Sequence, residues 1–128
     1  MPDVPYQMPF PGVFVVHYKT ADDLDPDRQG ALVQQVRTLG AASPVVIIFV
    51  LDPSVWKIDP KIPSFWLGVT GDKGIKLRGM AIVSASMAVR VAASGFGVTN
   101  TLRDVSVAVK AFTEAKDAIA WGCARVVA

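Results

Sequence analysis

A short stretch near the middle of the chain holds the side chains best suited to recognising another molecule. Six of them fall within ten positions: Asp52, Ser54, Trp56, Lys57, Asp59 and Lys61. Tryptophan is a frequent anchor of protein interfaces, and charged groups typically form the polar rim around such an anchor. We therefore predict a partner-binding surface here, with Asp59, Lys57 and Lys61 on the rim and an exposed Trp56 as the anchor. A place in the hydrophobic core is the equal alternative for Trp56.

A glycine-rich segment, Gly68–Arg78, is the strongest candidate for binding a small ligand. Gly71, Lys73 and Gly74 could form a loop whose backbone amides cradle a phosphate. The segment lacks the Gly-Lys-Ser/Thr ending of a P-loop and precedes a predicted strand, whereas a P-loop follows one. An ordinary surface turn is favoured, and a phosphate or nucleotide site remains an alternative.

The groups that could support catalysis lack the neighbours they need. His17 is the only histidine and has no orienting acid beside it in the sequence; a hydrogen-bonded, partly buried side chain is favoured. Cys123 falls near the end of a predicted helix, where the helix dipole disfavours a thiolate. Ser54 and Lys57 match Ser-x-x-Lys without its companion motifs, and Asp23–Asp27 lacks the glycine of a calcium loop. We predict no catalytic residue, metal site or cofactor.

The elements that position these residues alternate between apolar strands and amphipathic helices. The apolar segment Val45–Leu51 is the pattern of a strand buried on both faces. Other strands are predicted at Gly12–Lys19, Leu77–Ser84 and Val105–Phe112. The order β-α-β-α-β-α-β-α predicts a single α/β domain with a mixed, mostly parallel sheet of four to five strands under covering helices.

Capping residues and helical spacing predict the helices between these strands. The first has Asp25 as its N-cap, Pro26 at its first position and Gly40 as its end, with Leu32, Val33, Val36 and Leu39 facing inward. A short second helix is predicted at Ile62–Val69. The third begins after Ser84 or Ser86 and ends near Gly95, with an apolar stripe of Met87, Val91 and Ala92. The last begins at a Thr113 cap, with Ala115, Ala118, Ile119 and Gly122 facing inward.

Residues 1–11 precede the predicted domain, which spans residues 12–124. Four prolines exclude a helix and a central strand from this arm. Tyr6, Met8 and Phe10 are spaced by two, so an extended arm can lay them on one apolar surface. The arm is predicted to close its own core or to reach a second subunit, and self-association through the arm or a strand edge is expected.

The composition of the 128 residues is that of one apolar domain. Hydrophobic residues make up 52% and the net charge is +2, which is too small to indicate nucleic-acid binding. Residues 1–60 carry four basic and seven acidic groups, net −3, and residues 61–128 carry nine and four, net +5. The apolar surplus leaves open a carrier of a lipid or another small apolar ligand.

The predicted compartment is the cytoplasm. One cysteine permits no internal disulfide, which fits a reducing environment. The N-terminal residues lack the basic and apolar regions of a signal peptide. The longest apolar run, Val45–Leu51, is far shorter than the roughly 20 residues that a membrane helix needs.

Four stretches together resemble a STAS domain, the fold of bacterial anti-sigma-factor antagonists and of the cytoplasmic tails of sulfate transporters. They are residues 12–18, residues 46–52, residues 80–84 followed by Val89 and Arg90, and residues 109–121. The likeness is closest to small bacterial STAS-like proteins. It implies a regulatory domain that binds a protein partner.

In phosphorylatable STAS domains an Asp-Ser pair opens the helix after the aspartate-ended strand. Asp59 matches the acid here, and Pro60 stands in place of the serine. The resemblance therefore implies a binding scaffold without that phosphorylation switch. Ser54 and Ser64 lie nearby and are the alternative acceptors.

Overall fold

The computed structural model describes residues 6–19, 26–53, 74–102 and 107–127, which form five strands and three helices. The strands are β1 (Gln7–Phe10), β2 (Val13–Tyr18), β3 (Val45–Leu51), β4 (Leu77–Val83) and β5 (Ala108–Phe112). The helices are α1 (Pro26–Ala42), α2 (Met87–Leu102) and α3 (Ala115–Val127). The helix predicted at Ile62–Val69 falls outside the described residues.

All five strands belong to one sheet, in which each strand lies beside the one that precedes it in the chain. Strands β2 to β5 are parallel, and β1 runs antiparallel to β2 at the edge. The predicted α/β class and mostly parallel sheet are therefore confirmed. The prediction that β3 is central and buried on both faces is also confirmed, because it lies between β2 and β4 and six of its seven residues are buried.

Of the three described helices, two pack on one face of the sheet and one packs on the other. A first core cluster joins the sheet to α1 and α2 through Leu32, Val36 and Val89. A second cluster joins the opposite face to α3 through Ala118 and its half-buried neighbours. When successive parallel strands are added to a sheet in the same direction, right-handed crossovers place the connecting helices on the same face of the sheet. We call the other face, which α3 covers, the α3 face.

Helix α1 begins at Pro26, as its N1 proline predicts, and buries the expected apolar stripe. It continues two residues beyond Gly40, the predicted end. Gly40 has a different role, because its carbonyl accepts a 2.8 Å hydrogen bond from the Lys76 backbone N–H and a β-carbon there would lie 2.5 Å from the Ile75 side chain. The missing side chain lets the chain entering β4 approach the helix.

The predicted end and apolar stripe of the α2 helix are both wrong. The helix runs on to Leu102, because a glycine inside a helix costs only about 1 kcal/mol relative to alanine and does not end it. Met87 and Val91 are exposed, and Val89 and Ala93 are buried instead. Helix α2 packs mainly against β5, so the face that turns inward is the one carrying Val89.

The ends of the last strand and helix also differ from the prediction. Strand β5 begins at Ala108, and Val107 before it is not part of the strand; the predicted start at Val105 lies outside the described residues. Helix α3 begins at Ala115, which makes Glu114 rather than Thr113 the residue preceding its first turn. Its inward positions are confirmed, with Ala118 and Gly122 buried against the sheet.

Strand β4 contains a β-bulge at its start. Val45 and Val46 are consecutive in β3, but their partners in β4, Leu77 and Gly79, are separated by Arg78. Leu77 belongs to the first cluster, while Gly79 lies against Trp121 of α3. A bulge of this kind inserts one extra residue and bends the strand, and Arg78 is exposed as a result.

The arm forms an edge strand of its own domain over residues 7–10. Its Tyr6 ring packs edge to face on Phe14, with 5.0 Å between the ring centroids. Gly12 then turns the chain into β2 with φ +87°, a conformation that favours glycine. A β-carbon at Gly12 would lie 2.8 Å from the Pro44 carbonyl oxygen.

Candidate functional site

The carboxyl ends of β2, β3, β4 and β5 meet along one margin of the sheet, which we call the carboxyl edge. In open α/β sheets ligands bind outside this margin where the strand order reverses, and the sequential order of the described strands contains no reversal. The residues that directly follow the four strands there are Lys19, Asp52, Ser84 and Thr113. The carboxyl edge is the candidate functional site because Asp52, a member of the predicted partner-binding set, lies there.

Asp52 is the member of the predicted partner-binding set that the structure places at this edge. It directly follows the buried strand β3, and its side chain is exposed. Its backbone N–H donates a 2.8 Å hydrogen bond to the Tyr18 carbonyl, which continues the pairing of β3 with β2 by one residue. Ser54, Trp56, Lys57, Asp59 and Lys61 lie outside the described residues.

Two serines organise the start of α2 beside the end of β4. The Ser86 hydroxyl accepts a 3.3 Å hydrogen bond from the Val89 backbone N–H, so Ser86 is the N-cap. Buried Ser84 accepts a 3.0 Å bond from the Ser86 N–H through its hydroxyl. Its own N–H donates to the Phe112 carbonyl at 3.0 Å. Both serines that the sequence offered as caps thus hold the strand-to-helix turn.

Arg90 is tied to the same turn. Its guanidinium Nη1 donates a 2.9 Å hydrogen bond to the carbonyl of Ser84, six residues earlier. The arginine is half-buried, so its charge is held against the backbone of the edge. The sequence placed Arg90 in a helix but gave no sign of this contact, because it depends on the angle between α2 and β4.

A buried polar pair lies beneath the carboxyl edge. The Gln29 side-chain amide donates a 2.6 Å hydrogen bond to the hydroxyl of Tyr18, and Gln29 is 1% exposed. The Tyr18 ring also packs against Phe49, with 5.8 Å between centroids. Sequence reasoning missed this pair. Its signal was the position of Gln29, which falls on the same helical stripe as Leu32 and Val36.

The predicted partner-binding set and the glycine-rich segment do not meet where the structure describes them, at Asp52 and at Gly74. Gly74 precedes β4 and lies at the amino end of the sheet, whereas Asp52 lies at the carboxyl end of the neighbouring parallel strand. The seven residues of β3 span roughly 20 Å between these margins. Gly71 and Lys73 fall outside the described residues. The placement of Gly74 before a strand agrees with the predicted surface turn.

His17 and Cys123 occupy different places on the α3 face. His17 is exposed, contrary to the expected partial burial, and its Nε2 lies 3.3 Å from the Gln7 side-chain oxygen. The Gln7 oxygen can only accept, so this contact requires a proton on Nε2. Cys123 is half-buried and packs against the second core cluster. Both contacts are structural links between neighbouring elements.

Within the described ranges, His, Cys, Asp and Glu side chains form no group of three or more that could hold a metal ion. In the same part of the chain no helix has both the length and the apolar character needed to cross a bilayer. The chain matches no protein-family model, no curated protein and no solved structure. The geometry of the carboxyl edge is that of a hydrogen-bonded surface with one exposed carboxylate at the end of its central strand.

Proposed function

We propose that the chain is a non-catalytic regulatory adaptor of STAS type, in the bacterial cytoplasm, that binds a protein partner through residues 52–61. In this proposal Trp56 is the anchor and Asp52 marks the start of the contact. The adaptor has no phosphorylation switch at position 60, because Pro60 occupies the place of the serine that phosphorylatable STAS domains carry.

The observation that carries the proposal is the position of Asp52. The residue follows the most deeply buried strand of the sheet, whose side chains contribute to both core clusters. A strand packed on both faces has little freedom to move, so it presents the residue at its end in a defined place. An exposed carboxylate held in this way suits a partner with basic or hydrogen-bond-donating groups.

The neighbouring part of the carboxyl edge supports the same proposal. Ser84, Ser86 and Arg90 are engaged with the backbone of their own turn. These bonds rigidify the margin beside Asp52, and rigid surfaces lose less entropy when a partner binds.

Exposed apolar side chains in β1 and just before it support an additional contact between two copies of the chain. Tyr6, Met8 and Phe10 are 43%, 55% and 37% exposed. Aromatic residues and methionine are enriched at protein interfaces. The proposal therefore includes a homo-oligomer formed through the arm.

The test is affinity capture from the native cell with a tagged chain, followed by mass spectrometry. The wild type is compared with a Trp56→Ala, Asp59→Lys double variant and with Ala120→Lys, a control at an exposed position of α3. We expect a reproducible partner with wild type and control that the double variant loses. The same partner recovered in equal amount with the double variant would overturn this surface.

A further inference from the structure

A group of cationic and aromatic side chains lies on the α3 face, away from the carboxyl end of β3. We call Arg78, Lys110, Phe112, Trp121 and Arg125 the basic surface. Lys110 and Phe112 share one face of β5, Trp121 and Arg125 are one turn apart on α3, and Arg78 is the bulge residue of β4. Lys110 and Arg125 thus place two positive charges on this face, and Arg78 joins the group through its backbone carbonyl beside Arg125.

Ring contacts hold the two cations, Lys110 and Arg125, in place. The Lys110 ammonium lies 5.3 Å from the centroid of the Phe112 ring, and the Arg125 guanidinium carbon lies 5.8 Å from that of Trp121. Both distances are within the range of a cation–π interaction. The two rings contact each other with 5.8 Å between centroids, so they form one support for both cations.

Backbone contacts fix the same group further. Arg125 Nε donates a 3.1 Å hydrogen bond to the Arg78 carbonyl, which the bulge of β4 presents. Trp121 lies so close to Gly79 that a β-carbon there would be 2.8 Å from Cη2. The Arg125 guanidinium keeps its other N–H donors for an anion, because Nε alone makes this bond.

Among the residues that the structure describes, the acidic groups near this surface lie at the start of α3. Asp117 is four residues before Trp121 on α3, so it borders the surface at the start of the helix. Glu114 is paired with Lys116 at 3.3 Å in the same region. The net charge along α3 therefore changes from acidic at its start to basic at Arg125.

We propose that the basic surface binds an acidic segment of a partner protein, whose carboxylates pair with Arg125 and Lys110. Arginine and carboxylate form strong, charge-assisted hydrogen bonds. A single-stranded nucleic acid fits less well, since it needs open ring faces on which bases stack. Lys110, Arg125 and Gly79 already lie against the two rings. This inference goes beyond the proposed function, because it concerns a second surface and states the chemistry of its partner.

The test is an NMR titration of the isotope-labelled full chain at low salt with a short peptide of alternating glutamate and alanine. We expect the Trp121 indole N–H and the Arg125 Nε–H to shift, and the shifts to shrink when salt is added. Arg125→Glu and Lys110→Glu are each expected to weaken binding about tenfold or more. Lys116→Glu, with the same charge change on the same helix, is expected to bind like the wild type.

The same titration distinguishes an acidic protein segment from other molecules that could bind the basic surface. A larger response to a short oligothymidylate or to anionic phosphatidylglycerol vesicles would overturn the choice of an acidic protein segment. Shifts that depend on the chain's own concentration, without peptide, would overturn it too and assign the surface to a second copy. No shift at Trp121 or Arg125 with the peptide would overturn the proposal. Trp56 and Asp59 remain unchanged in this experiment, so its failure leaves the proposed function untouched.

Discussion

At two glycines the absence of a β-carbon allows α3 to pack closely against the sheet. Gly79 leaves room for the six-membered ring of Trp121, and Gly122 lets α3 approach Val46 and Ile48, with a β-carbon at 3.2 and 3.4 Å from their side chains. A β-carbon added at Gly30, in α1, would meet no atom within 4 Å beyond its own helix and chain neighbours. The glycines of this chain therefore differ in what a methyl group would meet.

Gly79→Ala is expected to lower the free energy of unfolding by about 1–3 kcal/mol, because Trp121 must shift away from the added methyl group. Gly30→Ala is the matched control and is expected to raise it by about 0.5–1 kcal/mol, since alanine favours a helix. Urea denaturation of both variants measures the difference. Equal effects at the two sites would contradict the packing described here.

Tyr18→Phe is expected to cost about 1–3 kcal/mol, because it removes the hydroxyl that accepts the buried Gln29 amide hydrogen bond. Tyr6→Phe removes the same group from an exposed ring and is expected to change stability by less than about 0.5 kcal/mol. Thermal unfolding with reversible refolding gives the comparison. A Tyr18 variant as stable as the Tyr6 variant would show that the pair does not matter for stability.

Helix α2 shows where helical periodicity does not predict which face of a helix is buried. The helix is rich in small and apolar residues on all sides, so the sequence alone did not distinguish its Met87 face from its Val89 face. Packing on β5 makes that choice, and it is a tertiary effect. In α1, where polar residues separate the apolar ones, the inward stripe was predicted correctly.

The cap of α2 supplies a test of how this helix begins. Ser86→Ala is expected to destabilise the chain by about 1 kcal/mol, since the Val89 N–H loses its acceptor. Ser94→Ala, the same change at an exposed position within α2, is expected to be neutral or stabilising by a few tenths of a kcal/mol. Chemical denaturation distinguishes the two, and a costlier Ser94 variant would contradict the assigned cap.

For the whole molecule, alternation of strands and helices was enough to predict the α/β class and the central place of Val45–Leu51. Alternation does not encode which strands are neighbours or which face each helix covers. The cation–aromatic group also escaped prediction, because Arg78, Lys110 and Trp121 are far apart in sequence and meet only once α3 crosses β4 and β5. At the carboxyl edge, the place of Asp52 directly after the central strand was predicted correctly, and its partner-binding role stays a prediction.

The layering of the sheet predicts a gradient of stability. At concentrations where the chain is monomeric, backbone amides of Ile47 and Ile48 are expected to exchange with solvent only through global unfolding, while those of Gln7 and Met8 in the exposed edge strand exchange through local opening. Hydrogen exchange followed at increasing denaturant measures this. Protection of β1 equal to that of β3 would indicate that the edge strand is covered by another surface.

The sequential order of the strands has a consequence for how the chain can fold. None of the five described strands is inserted between two earlier ones, so the preceding neighbour of each has already been synthesised when it emerges. Each parallel pair nevertheless joins residues far apart in sequence, such as Val13 and Val46, and contacts of this kind form slowly. The α3 face stays uncovered until residues 115–127 have been synthesised. Until then Val13, Val46 and Ile48 form an exposed hydrophobic surface of the kind that chaperones bind.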